Sequence, residues 1–141
     1  MRTVWETNVF AVLDVYQAML PLLRLSADAR IVNLSSAAAR IGSPGQYLDY
    51  AVSKGAINTF TMALSKEVAG EGIRVNGVSP GVIDTEIHAS GGLPDRVAQM
   101  AASLPMGRAG TAEEVADAIG WLVSDAASYV SGTTVDVAGA R

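Results

Sequence analysis

The chain has no cysteine and a single histidine. Disulfides, thiolate chemistry and cysteine-based metal sites are therefore excluded. One histidine supplies no metal constellation, so no metal is expected. Positive charge is scarce as well: 10 Lys and Arg stand against 14 Asp and Glu, a net charge of −4. That balance argues against the basic patch that a nucleic acid or an anionic membrane would need. Long apolar runs are missing too. The most apolar stretch, Val9 to Leu25, is broken by Asp14, Gln17, Pro21 and Arg24 and is too short to span a bilayer. Glu6 and Asp14 do not suit a signal peptide. No membrane partner and a cytoplasmic location are the expectations. There is no internal repeat, low-complexity tract or interdomain linker.

What is present suits one folded unit. The 141 residues are 50% hydrophobic and 17% charged, enough for a real core. Val9, Val12, Leu13, Tyr16, Met19, Leu20 and Leu23 recur at helical spacing, which predicts a helix over 2–25, with Pro21 near its end. Residues 30–35 read as a buried strand and 36–46 as a loop holding Gly42, Pro44 and Gly45. A long helix is expected over 47–69, punctuated by Gly70 and Gly72, then a strand over 73–79 stopped by Pro80-Gly81. Residues 82–110 read as irregular apart from a short helix near 94–103. Thr111 and Glu114 form a capping box for a helix with Val115, Ile119, Leu122 and Val123 on one face. A last strand is expected near 133–137. Strands alternating with helices imply crossovers and a parallel sheet, an α/β fold.

Chemistry concentrates around Tyr50 and Lys54, four residues apart in Asp49-Tyr50-Ala51-Val52-Ser53-Lys54. On a helix such positions share one face. A nearby cation favours the charged form of a phenol whose free pKa is about 10. A tyrosine so placed can act as an acid–base catalyst. Ser36, ending the run Ile31-Val32-Asn33-Leu34-Ser35-Ser36, can orient a carbonyl or alcohol. Alone, a Tyr-x-x-x-Lys pair is more often a core tyrosine beside a solvated lysine.

The company it keeps decides otherwise. In order along the chain come Thr7-Asn8-Val9 opening an apolar helix, Ile31 to Ser36, Tyr50-x-x-x-Lys54, Ile73-Arg74-Val75-Asn76-Gly77-Val78-Ser79-Pro80-Gly81, and Ser128-Tyr129-Val130-Ser131-Gly132 before a terminal strand. With these the chain resembles the short-chain dehydrogenase/reductase family from about residue 3 to its end. The resemblance implies the last three strands and flanking helices of a Rossmann-like doubly wound parallel sheet. It also implies an NAD- or NADP-dependent oxidoreductase that moves hydride between nicotinamide and a small carbonyl or alcohol. Tyr50 would then be the acid and base, and Lys54 would support it and bind the nicotinamide ribose. Ser36, with Ser35 as alternative, would hold the substrate oxygen, and Asn8 would order a proton-relay water. Pro80, Gly81, Ile83 and Thr85 would embrace the nicotinamide, Gly81 through close backbone approach. Outside the resemblance, Asn8 reads as a helix N-cap and residues 80–85 as an ordinary turn.

The family also carries a glycine-rich turn between a strand and a helix, where backbone N–H groups meet the pyrophosphate. None is found here. Gly42-Ser43-Pro44-Gly45 contains proline, Gly70-Glu71-Gly72 comes after a helix, and Gly107 to Gly110 follow no strand. Residues 1–141 are therefore expected to be a single partial domain, the C-terminal portion of a longer one, with NAD and NADP indistinguishable. The strand over 30–35 would have an uncovered edge. A homo-oligomer, dimer or tetramer, is expected through the helices 2–25 and 47–69. The competing reading is a non-catalytic oligomerisation or interaction module derived from the same family. Substrate contacts are expected from Ile41, Tyr47, Ile87, Leu93 and Met106, which favours a neutral or partly apolar molecule. His88 reads as a surface loop residue, Asp136 as a strand-end hydrogen bonder, and Met100 and Met106 as apolar filler of a lid.

Overall fold

The structure is a computed structural model that describes residues 1–85 and 96–141. Its elements are α1 (Arg2–Trp5), a π-helical turn (Glu6–Phe10), α2 (Ala11–Leu23), β1 (Arg30–Leu34), α3 (Ala38–Ile41), α4 (Leu48–Val68), β2 (Arg74–Pro80), β3 (Ile83–Asp84), α5 (Arg96–Ala101), β4 (Gly110–Thr111), α6 (Ala112–Leu122) and β5 (Thr134–Val137). The main sheet runs β1-β2-β5, and both pairings are parallel. Every connection between these strands is a crossover that carries helix, as a parallel pair requires.

β2 is the middle strand and its residues 75–79 are all buried. A strand covered on both faces buries successive residues, here including the polar Asn76 and Ser79, so its burial does not alternate; Asn76 is satisfied by Val130 and Thr133. Close packing against β5 also explains Gly77: a Cβ there would stand 2.8 Å from Thr134 Oγ1. α4 buries Ala51, Ser53, Ile57, Thr61, Leu64, Ser65 and Val68, a stripe at helical spacing. Leu64 and Val68 join Ala29, Ile73 and Val75 in the core, and Tyr16, Leu20 and Leu23 of α2 pack against it with Ile31 and Phe60. Tyr16 and Phe60 meet edge to face, with centroids 5.7 Å apart.

Three expectations need correction. β1 is only half buried, and Leu34 is 54% exposed, because no strand lies on its outer side among the described residues. The stretch 36–46 contains the helical turn α3, closed by Gly42 in the left-handed region at φ 87°. The stretch 82–110 contains a small parallel pair, Ile83–Asp84 with Gly110–Thr111. Two-residue strands leave too short a pattern to read from sequence. His88, Ile87 and Leu93 lie outside the described residues. No helix among the described residues is long and apolar enough to cross a membrane.

The capping box at α6 is formed in full: Glu114 N donates to Thr111 Oγ1 at 3.2 Å and Thr111 N to Glu114 Oε2 at 2.9 Å. Arg108 adds two bonds to the same carboxylate. Hydrogen bonds from Arg108, then from the Thr111 backbone, hold Glu114 down from 4.5 to about 2. A depressed carboxylate contributes stability that is complete above 4.5 and is lost as pH falls towards about 2.

Acid titrations of stability should therefore lose part of their slope in that window in Glu114→Gln, and an unchanged slope would discount the cap. Thr111→Ala should cost about 1 kcal/mol. Leu64→Ala should cost about 2–5 kcal/mol in urea unfolding, since the side chain is 2% exposed.

Candidate active site

Parallel strands bring their carboxyl ends to one side, and a crevice there is where open α/β sheets place ligands. β1 ends into Ser35 and Ser36, and β2 ends at Pro80 and continues to Gly81. The first turns of α4 carry Tyr50 and Lys54 beside them.

The serines divide their tasks. Ser35 is buried, its N–H donates to the Val78 carbonyl at 2.8 Å, and its Oγ donates to the Lys54 carbonyl at 3.2 Å. Its hydroxyl is thus spent on joining β1 to α4. Ser36 is half-buried, and its Oγ accepts from Ala38 N at 3.2 Å, which leaves its O–H free to turn towards a ligand. Ala37 N donates to the Pro80 carbonyl at 2.9 Å, so the serine loop is also tied to β2.

Lys54 lies close to Tyr50, with Nζ 5.8 Å from the phenol ring centroid. The same ammonium donates to the Leu34 carbonyl at 2.8 Å. The β1–β2 register, with Ser35 N on Val78 and Arg74 N on Ala29, turns the backbone groups of Arg30, Val32 and Leu34 to the open edge. Lys54 therefore caps one carbonyl on the open edge of β1. Burial holds its pKa below the ordinary 10.5, since desolvation penalises the ammonium.

Asn8 is not a helix N-cap, because the helix has already begun at Arg2 and Asn8 sits inside the π-helical turn. Its Nδ2 donates to Ser53 Oγ at 3.1 Å, and Ser53 Oγ donates to the Tyr50 carbonyl at 2.7 Å. The chain Asn8–Ser53–Tyr50 fixes the start of α4 against the first helix. Sequence reasoning missed Ser53, which is fully buried and three residues after Tyr50. A small polar residue inside the Tyr-x-x-x-Lys spacing was the available signal. π-helical turns often mark functional positions in helices.

Gly81 makes a close contact within the fold as well. A Cβ there would stand 2.8 Å from Ala138 Cα, so its lack of a side chain lets the turn after β5 approach. Its N–H donates to Val137 at 3.0 Å. Ile83 lies in β3, half-buried, and Thr85 is exposed where the described segment ends. Asp136, next to the end of β5, has its Oδ2 3.4 Å from Arg40 Nε. Met106 is largely exposed and lies over Gly139.

A family model described as enoyl-(acyl carrier protein) reductase matches residues 1–139. The uncharacterized oxidoreductase YgfF of Escherichia coli (strain K12) is 62% identical over 111 residues, 79% of this chain and 45% of that protein. The 3-oxoacyl-[acyl-carrier-protein] reductase FabG of Pseudomonas aeruginosa is 38% identical over 135 residues, 95% of this chain and 53% of its own. A crystal structure of a 3-oxoacyl-[acyl-carrier protein] reductase with bound NAD from Brucella melitensis superposes with a TM-score of 0.86 at 37% identity, over 99% of this chain and 50% of that one. The chain thus spans about half the length of the relatives it matches.

Two outcomes check this geometry. Nitrogen-15 titration of Lys54 Nζ should give a midpoint below 10.5, and one at or above 10.5 would contradict burial of the ammonium. Gly81→Ala should lower stability by about 1–3 kcal/mol in denaturant melts, because the obstacle is backbone and cannot swing away.

Proposed function

The chain belongs to the short-chain dehydrogenase/reductase family, and on that premise we propose that it carries the catalytic part of an NAD(P)-dependent oxidoreductase acting on a neutral or partly apolar carbonyl or alcohol. The observation that carries this reading is the Tyr50–Lys54 pair, 5.8 Å from ammonium to ring centroid, beside the Ser35–Ser36 strand end.

The donor types suit the nicotinamide end of such a cofactor: the Lys54 ammonium sits on the Leu34 carbonyl at the end of β1 and 5.8 Å from the Tyr50 ring centroid, and Ser36 follows two residues after Leu34. They do not suit the pyrophosphate end, because no glycine-rich turn leads from a strand into a helix among the described residues. When bound, the nicotinamide supplies or accepts the hydride. Tyr50 donates its phenolic proton to the carbonyl oxygen as reduction proceeds, and takes it back in oxidation. Ser36 holds the same oxygen and aims the carbon. Lys54 places positive charge beside the phenol and offers its remaining N–H donors to the cofactor's ribose. Asn8, through Ser53, keeps Tyr50 at the start of α4 and stands ready to hold a relay water. Pro80, Gly81, Ile83 and Thr85 form the wall against the nicotinamide. Ile41, Tyr47 and Met106 offer an apolar approach for substrate.

A specific observation keeps the interaction-module reading in play. The open edge of β1 borders a cleft of roughly 470 Å³ lined by apolar groups including Val12, Val15, Met19, Val32 and Phe60. Phe10, Val15 and Leu22 on the first helical run and Val52 and Met62 on α4 are also at least 46% exposed, which suits a homo-oligomer.

The test joins this chain behind the N-terminal half of the E. coli relative and measures NADH and NADPH oxidation with 3-oxoacyl thioesters and simple ketones. The fused protein should turn over and the chain alone should not. Tyr50→Phe should lower kcat by at least about 100-fold. A fully active Tyr50→Phe variant removes the assigned acid, and a fusion that neither turns over nor binds cofactor favours the interaction module.

A further inference from the structure

The turn after β5 touches three parts of the candidate site at once. Ala138 lies against Gly81, whose N–H donates to Val137 at 3.0 Å. Met106, on the stretch that returns to β4, covers Gly139. On a third side, Arg40 of α3 donates through Nη2 to the Arg141 carbonyl, and its Nε stands 3.4 Å from Asp136 Oδ2. The turn is tightly wound: Gly139 and Ala140 have φ of 58° and 65°, and Arg141 N donates to Ala138 at 3.1 Å. Alanine takes that left-handed conformation only where its surroundings impose it.

Arg40 belongs to the same hydrogen-bonded unit as Ser36. Ala38 N donates to Ser36 Oγ at 3.2 Å, Ala39 N to the Ser36 carbonyl at 3.0 Å, and Arg40 N to the Ala37 carbonyl at 3.0 Å. One end of this unit is held by Ala37 on Pro80 at 2.9 Å. The guanidinium holds the other end. Its fork makes one hydrogen bond, to the Arg141 carbonyl, while a second nitrogen stands at ion-pair distance from the Asp136 carboxylate, an arrangement that a point charge on a flexible stem reproduces poorly.

The geometry points to Arg40 as a positioning residue: it ties the Ser36 loop to the turn Val137–Arg141, so the serine, the Gly81 wall and the Met106 stretch rest on one support. The inference rests on the oxidoreductase reading for its functional meaning. Arg40 and Asp136 side chains are 53% and 49% exposed, and such a pair adds little to global stability. Its effect is on where Ser36 stands, and a displacement of about 1 Å in a reacting group can cost on the order of 100-fold in rate.

The experiment compares wild type, Arg40→Ala, Arg40→Lys and Asp136→Asn in the full chain by amide nitrogen-15 spectra. In Arg40→Ala the resonances of Ser36, Ala37, Gly81 and Gly139 should move, while Leu64 and Val68 stay and the Tm falls by less than about 4 °C. Arg40→Lys should restore part of the pattern, and Asp136→Asn should show it at smaller amplitude. Shifts confined to residues touching position 40 would overturn the inference. In the fused protein, Arg40→Ala should lower kcat about tenfold with a smaller change in KM, and Arg40→Lys should recover part of it. Unchanged kcat, with Tyr50→Phe inactive, also overturns it. A fused protein in which Tyr50→Phe equals wild type fails the oxidoreductase reading instead, and the spectra still report the Arg40 link.

Discussion

Burial of β2 between two parallel neighbours constrains everything else in this chain. Val75 and Val78 have no exposed surface, and Gly77 exists because Thr134 comes too close for a side chain. A strand so enclosed cannot slip, since a shift of one residue would turn Asn76 and its bonds to Val130 and Thr133 towards the apolar face. Its direction and register set the carboxyl ends of all three strands. Ser36, Pro80 and the turn after β5 thereby become neighbours although they are far apart along the chain.

At the edge of that sheet one ammonium serves two demands. Lys54 caps the Leu34 carbonyl on the open edge of β1 and stands beside the Tyr50 ring. A lysine is a common protection for an exposed strand edge, and a charged donor on a carbonyl is among the stronger hydrogen bonds. A strand laid along β1 would offer its own N–H groups to that edge and compete for the Leu34 carbonyl. An apolar cleft lies beside the same edge.

Much of this was legible in the sequence for identifiable reasons. Tyr50 and Lys54 could be paired because helical spacing alone puts them on one face. β1, β2 and β5 fall within a residue or two of their expected bounds, since glycine and proline punctuate them. The Thr111–Glu114 cap was readable because both partners lie within one turn. α3 and the β3–β4 pair were missed, being too short to show a period. The burial of β1 was overstated because an apolar run looks the same at the centre of a sheet and at its edge.

Local spacing and composition by themselves determined the alternation of helix and strand, the placing of Tyr50 and Lys54 on one helix face and the want of a glycine-rich turn between strand and helix, because each depends on residues a few positions apart. Only the tertiary structure decided which serine is spent on the scaffold and which is not, that Asn8 reaches Tyr50 through Ser53, and that Gly81 makes room for Ala138. It also decided that Arg40 meets the turn after β5. Those relations join segments separated by tens of residues, and a chain brings such segments together only when a shared core sets their distances.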